Sequence, residues 1–195
     1  MVITKMLIAV YYCMADYNIW RMTYMEMWDI YDSNRNKTGR LAERENYKFQ
    51  KGEFHLITVA VIMNPKKQIL LAKRAENKKR APLKWELSGG GVRAGETSLQ
   101  AILRELAEEI GLKFSEDEAI FLKETKKNEE NNSGAFKDFW LFKTDVKAEE
   151  ITFPDQEATE AKWVTINELL EMSENDEIIS GLDFIEKDYE LALEK

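Results

Sequence analysis

The chain of 195 residues has one cysteine, Cys13, and one histidine, His55. No internal disulfide can form, which suits a reducing compartment. No Cys/His cluster is available to hold zinc, and a hydrolase built on a His-activated serine would have to use His55. That histidine lies in the apolar run FHLITVAVI, where a packed strand histidine is the commoner arrangement. Prolines number three, and neither a Pro/Gly-rich linker nor an internal repeat divides the chain. Basic charge is in deficit: 28 Lys and Arg against 36 Asp and Glu leave a formal net charge of −8. A general nucleic-acid binder would carry a basic patch or stripe instead. Long apolar runs are missing too. MLIAVYYCMA, after Lys5, is too short to span a membrane as a helix, and no clear small-x-small cleavage site follows it.

What is present is enough for one substantial core. With 44% hydrophobic residues, the chain is most simply a single domain. Residues 1–26 do not look like the rest and read as an N-terminal extension, with 27–195 as the domain. From Trp28 onward a short strand pair surrounds the turn SNRNKTGR. Residues 54–63 read as a buried strand, with ILLAK (69–73) as its partner across the turn Pro65-Lys66-Lys67. AIFLKETKK and AFKDFWLFKTD flank KNEENNSG, which has the composition of a hairpin loop. AKWV (161–164) is a brief last strand, a helix starts over 167–172, and 176–195 reads as helical.

The densest chemistry lies in GGVRAGETSLQAILRELAEEIGL, residues 90–112. Thr97 and Gln100 have the spacing of a capping box, and Leu99, Ile102, Leu103, Leu106 and Ile110 recur at helical spacing. Gly111 fits the left-handed position that commonly ends a helix, so the spacing predicts a helix over about 98–110. Glu105, Glu108 and Glu109 then fall in one narrow sector bordering the apolar stripe. Like charges so placed destabilise an isolated helix by a few tenths of a kcal/mol per pair. A hard divalent cation, which prefers carboxylate oxygens, would compensate. Acid clusters on helices are otherwise solvated faces.

In full, the segment reads Gly90, five residues, Glu96, seven residues, Arg104-Glu105-Leu106, one residue, Glu108-Glu109, one residue, Gly111-Leu112. It matches every fixed position of the Nudix box, and the chain resembles the Nudix hydrolase superfamily on that ground. More softly, WDIYDSNRNKTGR, GEFHLITVAVI, KWELSGG and EATEAKWVTINEL look like the bacterial branch similar to isopentenyl-diphosphate isomerase. The resemblance implies an α/β fold, an α/β/α sandwich with a mixed sheet and a loop-helix-loop carrying the box. It implies hydrolysis of a diphosphate linkage in a nucleoside diphosphate joined to another moiety, or in a similar organic pyrophosphate, with Mg²⁺ or Mn²⁺.

By that resemblance Glu105, Glu108 and Glu109, with the backbone at Gly90, hold the metal. Glu105, Glu109 and Arg104 are expected to be catalytic, with Glu96 and Arg104 positioning the acids and Gly90 and Gly111 shaping the motif. A general base is either Glu105 or an acid of the loop DQEATE (155–160), with Glu157 or Glu160 in reach. The basic stretch 73–84 would draw in a polyanion. Arg74 and Lys73 are the expected substrate contacts there, and Trp28 is a candidate for the organic group, beside Phe54, Trp140 and Phe142. Isomerase chemistry is the rival. Enzymes of that kind look like they need a cysteine where Leu87-Ser88 stand here, and several histidines. A non-catalytic Nudix-fold regulator is a second rival, weakened because no box acid is missing. The expected partner is a small diphosphate substrate, not a nucleic-acid polymer or a membrane, in the cytoplasm; many relatives resemble dimers.

Overall fold

The fold follows from two faces of one sheet that must both be covered. A computed structural model describes residues 26–44, 46–128, 133–179 and 185–195. The expectations for 1–25, Cys13 included, and for the loop tip 129–132 lie outside the described residues. Strand β1 (Met27–Tyr31) turns into β2 (Lys37–Glu43), and β3 (Phe54–Met63) runs the length of the sheet. β4 (Ile69–Arg74), β5 (Trp85–Glu86) and β6 (Gly89–Gly91) lead to helix α1 (Ser98–Glu109). β7 (Ile120–Asn128) and β8 (Gly134–Lys143) form a hairpin, followed by β9 (Ala158–Val164), α2 (Ile166–Glu174) and α3 (Ile185–Glu194). The nine strands form one sheet, mixed because β3 runs parallel to β8 while its contacts with β1, β4 and β6 are antiparallel.

Alternation along β3 decides which side chain meets which layer. Ala60 and Ile62 face α1, where Ile102, Leu106 and Ile110 are all 0–1% exposed. Val61 and Met63 face the other way, onto Leu169 and Met172 of α2 and Ala192 of α3. Helices thus cover both faces and give the α/β/α sandwich. Helix α1 begins as its sequence dictates: Thr97 Oγ1 accepts from the Gln100 N–H, and the Gln100 side chain accepts from the Thr97 N–H. Gly111 ends it at φ +68°, a region most side chains avoid.

Two expectations are corrected. ILLAK meets residues 54–63 only at Met63–Ile69; β3 spends its length on β8, and β4 on β9. Both β3 and β8 are largely buried on both faces, and pairing them side by side places both between the helical layers. Asp176 is a turn residue at φ +57°, and residues 177–179 run beside β5 rather than forming a helix: Trp85 donates its N–H to the Glu177 carbonyl, and Ile179 donates to Trp85. Helix begins again at Ile185. Among the described residues no helix is long and apolar enough to cross a membrane.

Candidate active site

The short β6 lies against β3 through Gly89, Gly90 and Gly91 and brings bare backbone to the flank of α1. A Cβ at Gly90 would run into the Glu105 carboxylate, so any larger residue there would push the acid off the strand. The Gly89 N–H donates to Glu109 Oε2 at 3.1 Å. The glycines and the acids of the box therefore meet directly, although Gly90 and Glu105 are 15 residues apart in the chain and Gly89 and Glu109 are 20.

Arg104 organises this edge of the helix. Its Nε and Nη2 donate to the two Glu96 oxygens at 2.8 and 2.9 Å, and its Nη1 donates to Glu105 at 2.7 Å and Glu108 at 3.2 Å. Burial by itself would lower the guanidinium pKa, but Glu96 and Glu105 outweigh it and hold Arg104 charged. Burial also raises the Glu105 carboxyl, opposed by Arg104. Glu108, the most open of the three, reaches Arg93 as well at 3.3 Å.

Glu109 is different. Its carboxyl is pushed well above the usual carboxylate range, first by burial, then by the charges of Glu105, Glu86 and Asp155. A single backbone N–H opposes this. Four acids thus surround a spot with too little fixed positive charge to balance them. Among the described residues, no three Asp, Glu, His or Cys side chains form a complete cation cage. The donor set nonetheless fits a hard divalent ion: it is carboxylate oxygen throughout, with bare glycine backbone beside it.

A cleft of about 1040 Å³ opens next to these acids. Arg44, Lys78 and Arg80 line it on the basic side, Glu86, Asp155 and Glu157 on the acidic side. Glu157 pairs with Lys78 across it. Arg74 lines the cleft too, but as a strut: Nη1 donates to Glu86 at 2.7 Å, and Nε and Nη2 donate to the Arg80 carbonyl. Lys73, its neighbour, points to the opposite face, where it pairs with Glu160 at 2.7 Å and lies over Trp85. The structure does not bring Lys73 or Glu160 into the cleft.

Trp28 is wedged rather than open. Its ring stacks on His55 at 4.5 Å and 3°, the Arg44 guanidinium lies over it at 5.8 Å, and its Nε1 donates to Glu26. Phe54 and Phe142 are core residues, and Trp140 Nε1 donates to Ser98 Oγ. Ser88, in the place an isomerase cysteine would take, is 4% exposed. Sequence reasoning missed Glu86, Asp155, Arg44 and Glu26. Glu86 stands three residues before Gly89 and Asp155 within the loop already singled out, so strand geometry could have found them; nothing local marks Arg44.

Comparison with known proteins agrees with this geometry. A model of the NUDIX domain matches residues 53–181. An uncharacterized Nudix hydrolase of Listeria monocytogenes is 36% identical over 157 residues, 80% of this chain and 89% of the relative. Nudix hydrolase 3 of Arabidopsis thaliana is 29% identical over 73% of this chain but only 20% of its own length. Among solved structures, a Deinococcus radiodurans protein superposes with a TM-score of 0.66 at 20% identity, covering 87% of this chain and 98% of its own. The NUDIX domain of Shewanella oneidensis NrtR, solved with ADP ribose, gives a TM-score of 0.56 at 19% identity, covering 77% and 93%.

Proposed function

The chain belongs to the Nudix family and is a pyrophosphohydrolase, and from that premise we propose that it uses Mg²⁺ or Mn²⁺ to cleave an organic diphosphate, such as a nucleoside diphosphate linked to another moiety. The observation that carries the reading is the half-buried Glu109, set against the charges of Glu105, Glu86 and Asp155, the last two of which line a cleft that also holds Arg44, Lys78 and Arg80. Glu105, Glu108 and Glu109 would hold the ion, with Gly90 leaving room. When bound, such an ion neutralises phosphate oxygens and makes a water more acidic.

The chain's own residues supply the rest. Arg104 fixes the rotamers of Glu96, Glu105 and Glu108, and so the direction in which the box acids face. Arg44 is the better-placed phosphate contact than Arg74, because among the described residues its guanidinium donates through Nη1 alone, to Glu26 at 2.6 Å, and its side chain is 47% exposed. Glu157, on the facing wall, would take the proton as water oxygen attacks phosphorus and the bridging P–O bond breaks. The leaving phosphate oxygen carries away the electron pair, and each fragment keeps a phosphate. Residues 27–195 act as one domain in this reading, since β1 and β2 join the same sheet as the box. A single cysteine suits the cytoplasm.

The test is phosphate release, read directly and again after a phosphatase opens the phosphomonoester products, from nucleoside di- and triphosphates, sugar nucleotides, dinucleoside polyphosphates and isopentenyl diphosphate. Wild type should turn over at least one class with Mg²⁺ or Mn²⁺ and lose it in EDTA. Glu109→Gln should lose at least about a hundredfold in kcat while keeping its fold, as loss of a charge-stabilising group does. Near-wild-type turnover by that variant would sink the metal assignment.

A further inference from the structure

Among the described residues three buried side-chain atoms able to hydrogen-bond have no partner, and two of them stand side by side. They are Thr58 Oγ1 and Asp138 Oδ1, on residues 0% and 3% exposed that are paired across the parallel β3–β8 ladder. Both side chains point toward α1. Leu56 shares a buried cluster with Ala101, and Ala60 with Ile102 and Leu106, so Thr58, between them on alternate residues of β3, lies on their face. Phe136 packs with Ala101 and Trp140 Nε1 donates to Ser98 Oγ, which sets the same face for Asp138. A buried hydroxyl without a partner is costly, and native folds seldom keep one without a use.

On its other side Thr58 pairs with Gly90 of β6. The Glu105 carboxylate fills the space where a side chain at Gly90 would stand. Directly opposed residues hold their Cβ atoms about 5 Å apart, so a box acid lies one strand spacing from the Thr58 hydroxyl. Thr58 therefore has an acceptor on each flank, Asp138 and Glu105, and one proton to give. Asp138 is the less able to come closer. Its strand is locked to β3 through ten consecutive residue pairs, and its Oδ2 accepts from Arg35 at 2.7 Å. Glu105 hangs from α1 on a longer side chain. Of its carboxylate oxygens only Oε1 receives a hydrogen bond among the described residues, from Arg104.

We propose that Thr58 is a positioning residue for Glu105: its hydroxyl donates to the carboxylate in the metal-loaded site and fixes how Glu105 presents its oxygens. The inference rests on the reading that Glu105, Glu108 and Glu109 hold the ion. Carboxylates that ligate a metal are themselves hydrogen-bonded, and losing such a partner typically weakens metal affinity or activity about 10–100-fold. Arg104 supplies one such bond from the helix, and Thr58 supplies the other from the sheet. The unmet hydroxyl is then a cost borne by the metal-free fold alone.

The measurement is Mn²⁺ binding, read from the paramagnetic resonance of free Mn²⁺, beside urea unfolding in EDTA. Thr58→Val keeps the branched shape and removes the proton donor. Its Mn²⁺ Kd should rise about tenfold or more, while Thr58→Ser stays within twofold of wild type. The unfolding midpoint of Thr58→Val should hold or rise, since the hydroxyl it loses has no partner in the metal-free fold. Thr58→Ala also lacks the hydroxyl and reads the same Kd should Thr58→Val fail to fold. Glu109→Gln reports where the ion sits and should weaken Mn²⁺ at least tenfold. A Kd within twofold in the hydroxyl-less variant, with Glu109→Gln weakened, would overturn the role of Thr58 and leave the metal reading standing. So would a loss in Thr58→Ser equal to that in Thr58→Val. A midpoint lowered in Thr58→Val would overturn it too, because the hydroxyl would then be a structural bond to Asp138. Wild type without affinity for Mn²⁺, or Glu109→Gln binding it as tightly as wild type, would overturn the metal reading and this inference with it.

Discussion

His55 makes folding stability depend on pH in a way that can be worked out beforehand. The ring is stacked on Trp28, tilted against Phe49 at 5.0 Å, and tied to the Gly134 carbonyl. Burial lowers its pKa from 6.5 to about 4, with the Arg44 charge adding to the effect and the Gly134 bond opposing it. Above pH 6.5 the ring is neutral whether the chain is folded or not, and contributes nothing. Between pH 6.5 and 4 the unfolded chain takes a proton that the folded one refuses, so stability falls as pH falls. At pH 5 the two proton-binding factors differ about 30-fold, or about 2 kcal/mol; at pH 7.5 the difference is about zero. His55→Phe keeps a ring in the stack and removes the proton site. It also removes one hydrogen bond, a loss of about 1 kcal/mol at every pH. Urea unfolding of both proteins at pH 7.5 and pH 5 separates the two effects. Acid-labile carboxylates elsewhere are common to both and cancel in the difference. The stability gap should shift by about 2 kcal/mol in favour of the variant at pH 5. Parallel pH profiles would show that the ring is protonated in the folded state after all, and would refute the packing argument.

Other perturbations read other parts of the site. Gly90→Ala puts a methyl into the Glu105 carboxylate; circular dichroism should be preserved while phosphate release falls at least tenfold. Ile102→Ala opens a cavity between α1 and the sheet at a residue that is 0% exposed. It should cost about 2–5 kcal/mol in denaturant unfolding, and a smaller loss would mean that α1 settles inward. Arg44→Ala should raise KM for a diphosphate at least tenfold with the unfolding midpoint little changed. Arg74→Ala should instead lower the midpoint, because it strands Glu86, which is raised by burial and depends on Arg74 to offset it. The reverse pattern would return Arg74 to the substrate.

How much of this could be read from the chain depends on the range of the interaction. Helix α1 was legible because its signals are local: Thr97 and Gln100 cap it, Gly111 ends it, and its apolar residues repeat every turn. The box acids and Arg104 were legible for the same reason, all lying on or just before one helix. Strand partners were not, since any of several apolar strands satisfies period two and the winner is set by burial of both faces at once. Residues 54–63 therefore looked like one arm of a hairpin with 69–73, when β8 pairs along the whole of one edge and β1, β6 and β4 share the other. Lys73 and Arg74 show the consequence at the site. Adjacent in sequence and equal in charge, they fall on opposite faces of β4, so the pleat alone separates a strut of the cleft from a cation over Trp85. Knowing that β4 lies between β5 and β9 decides which is which. The same step brings Glu86 beside Glu109, from a strand outside the box. Sequence patterns locate the acids that the family shares; the sheet's register decides which further charges stand around them.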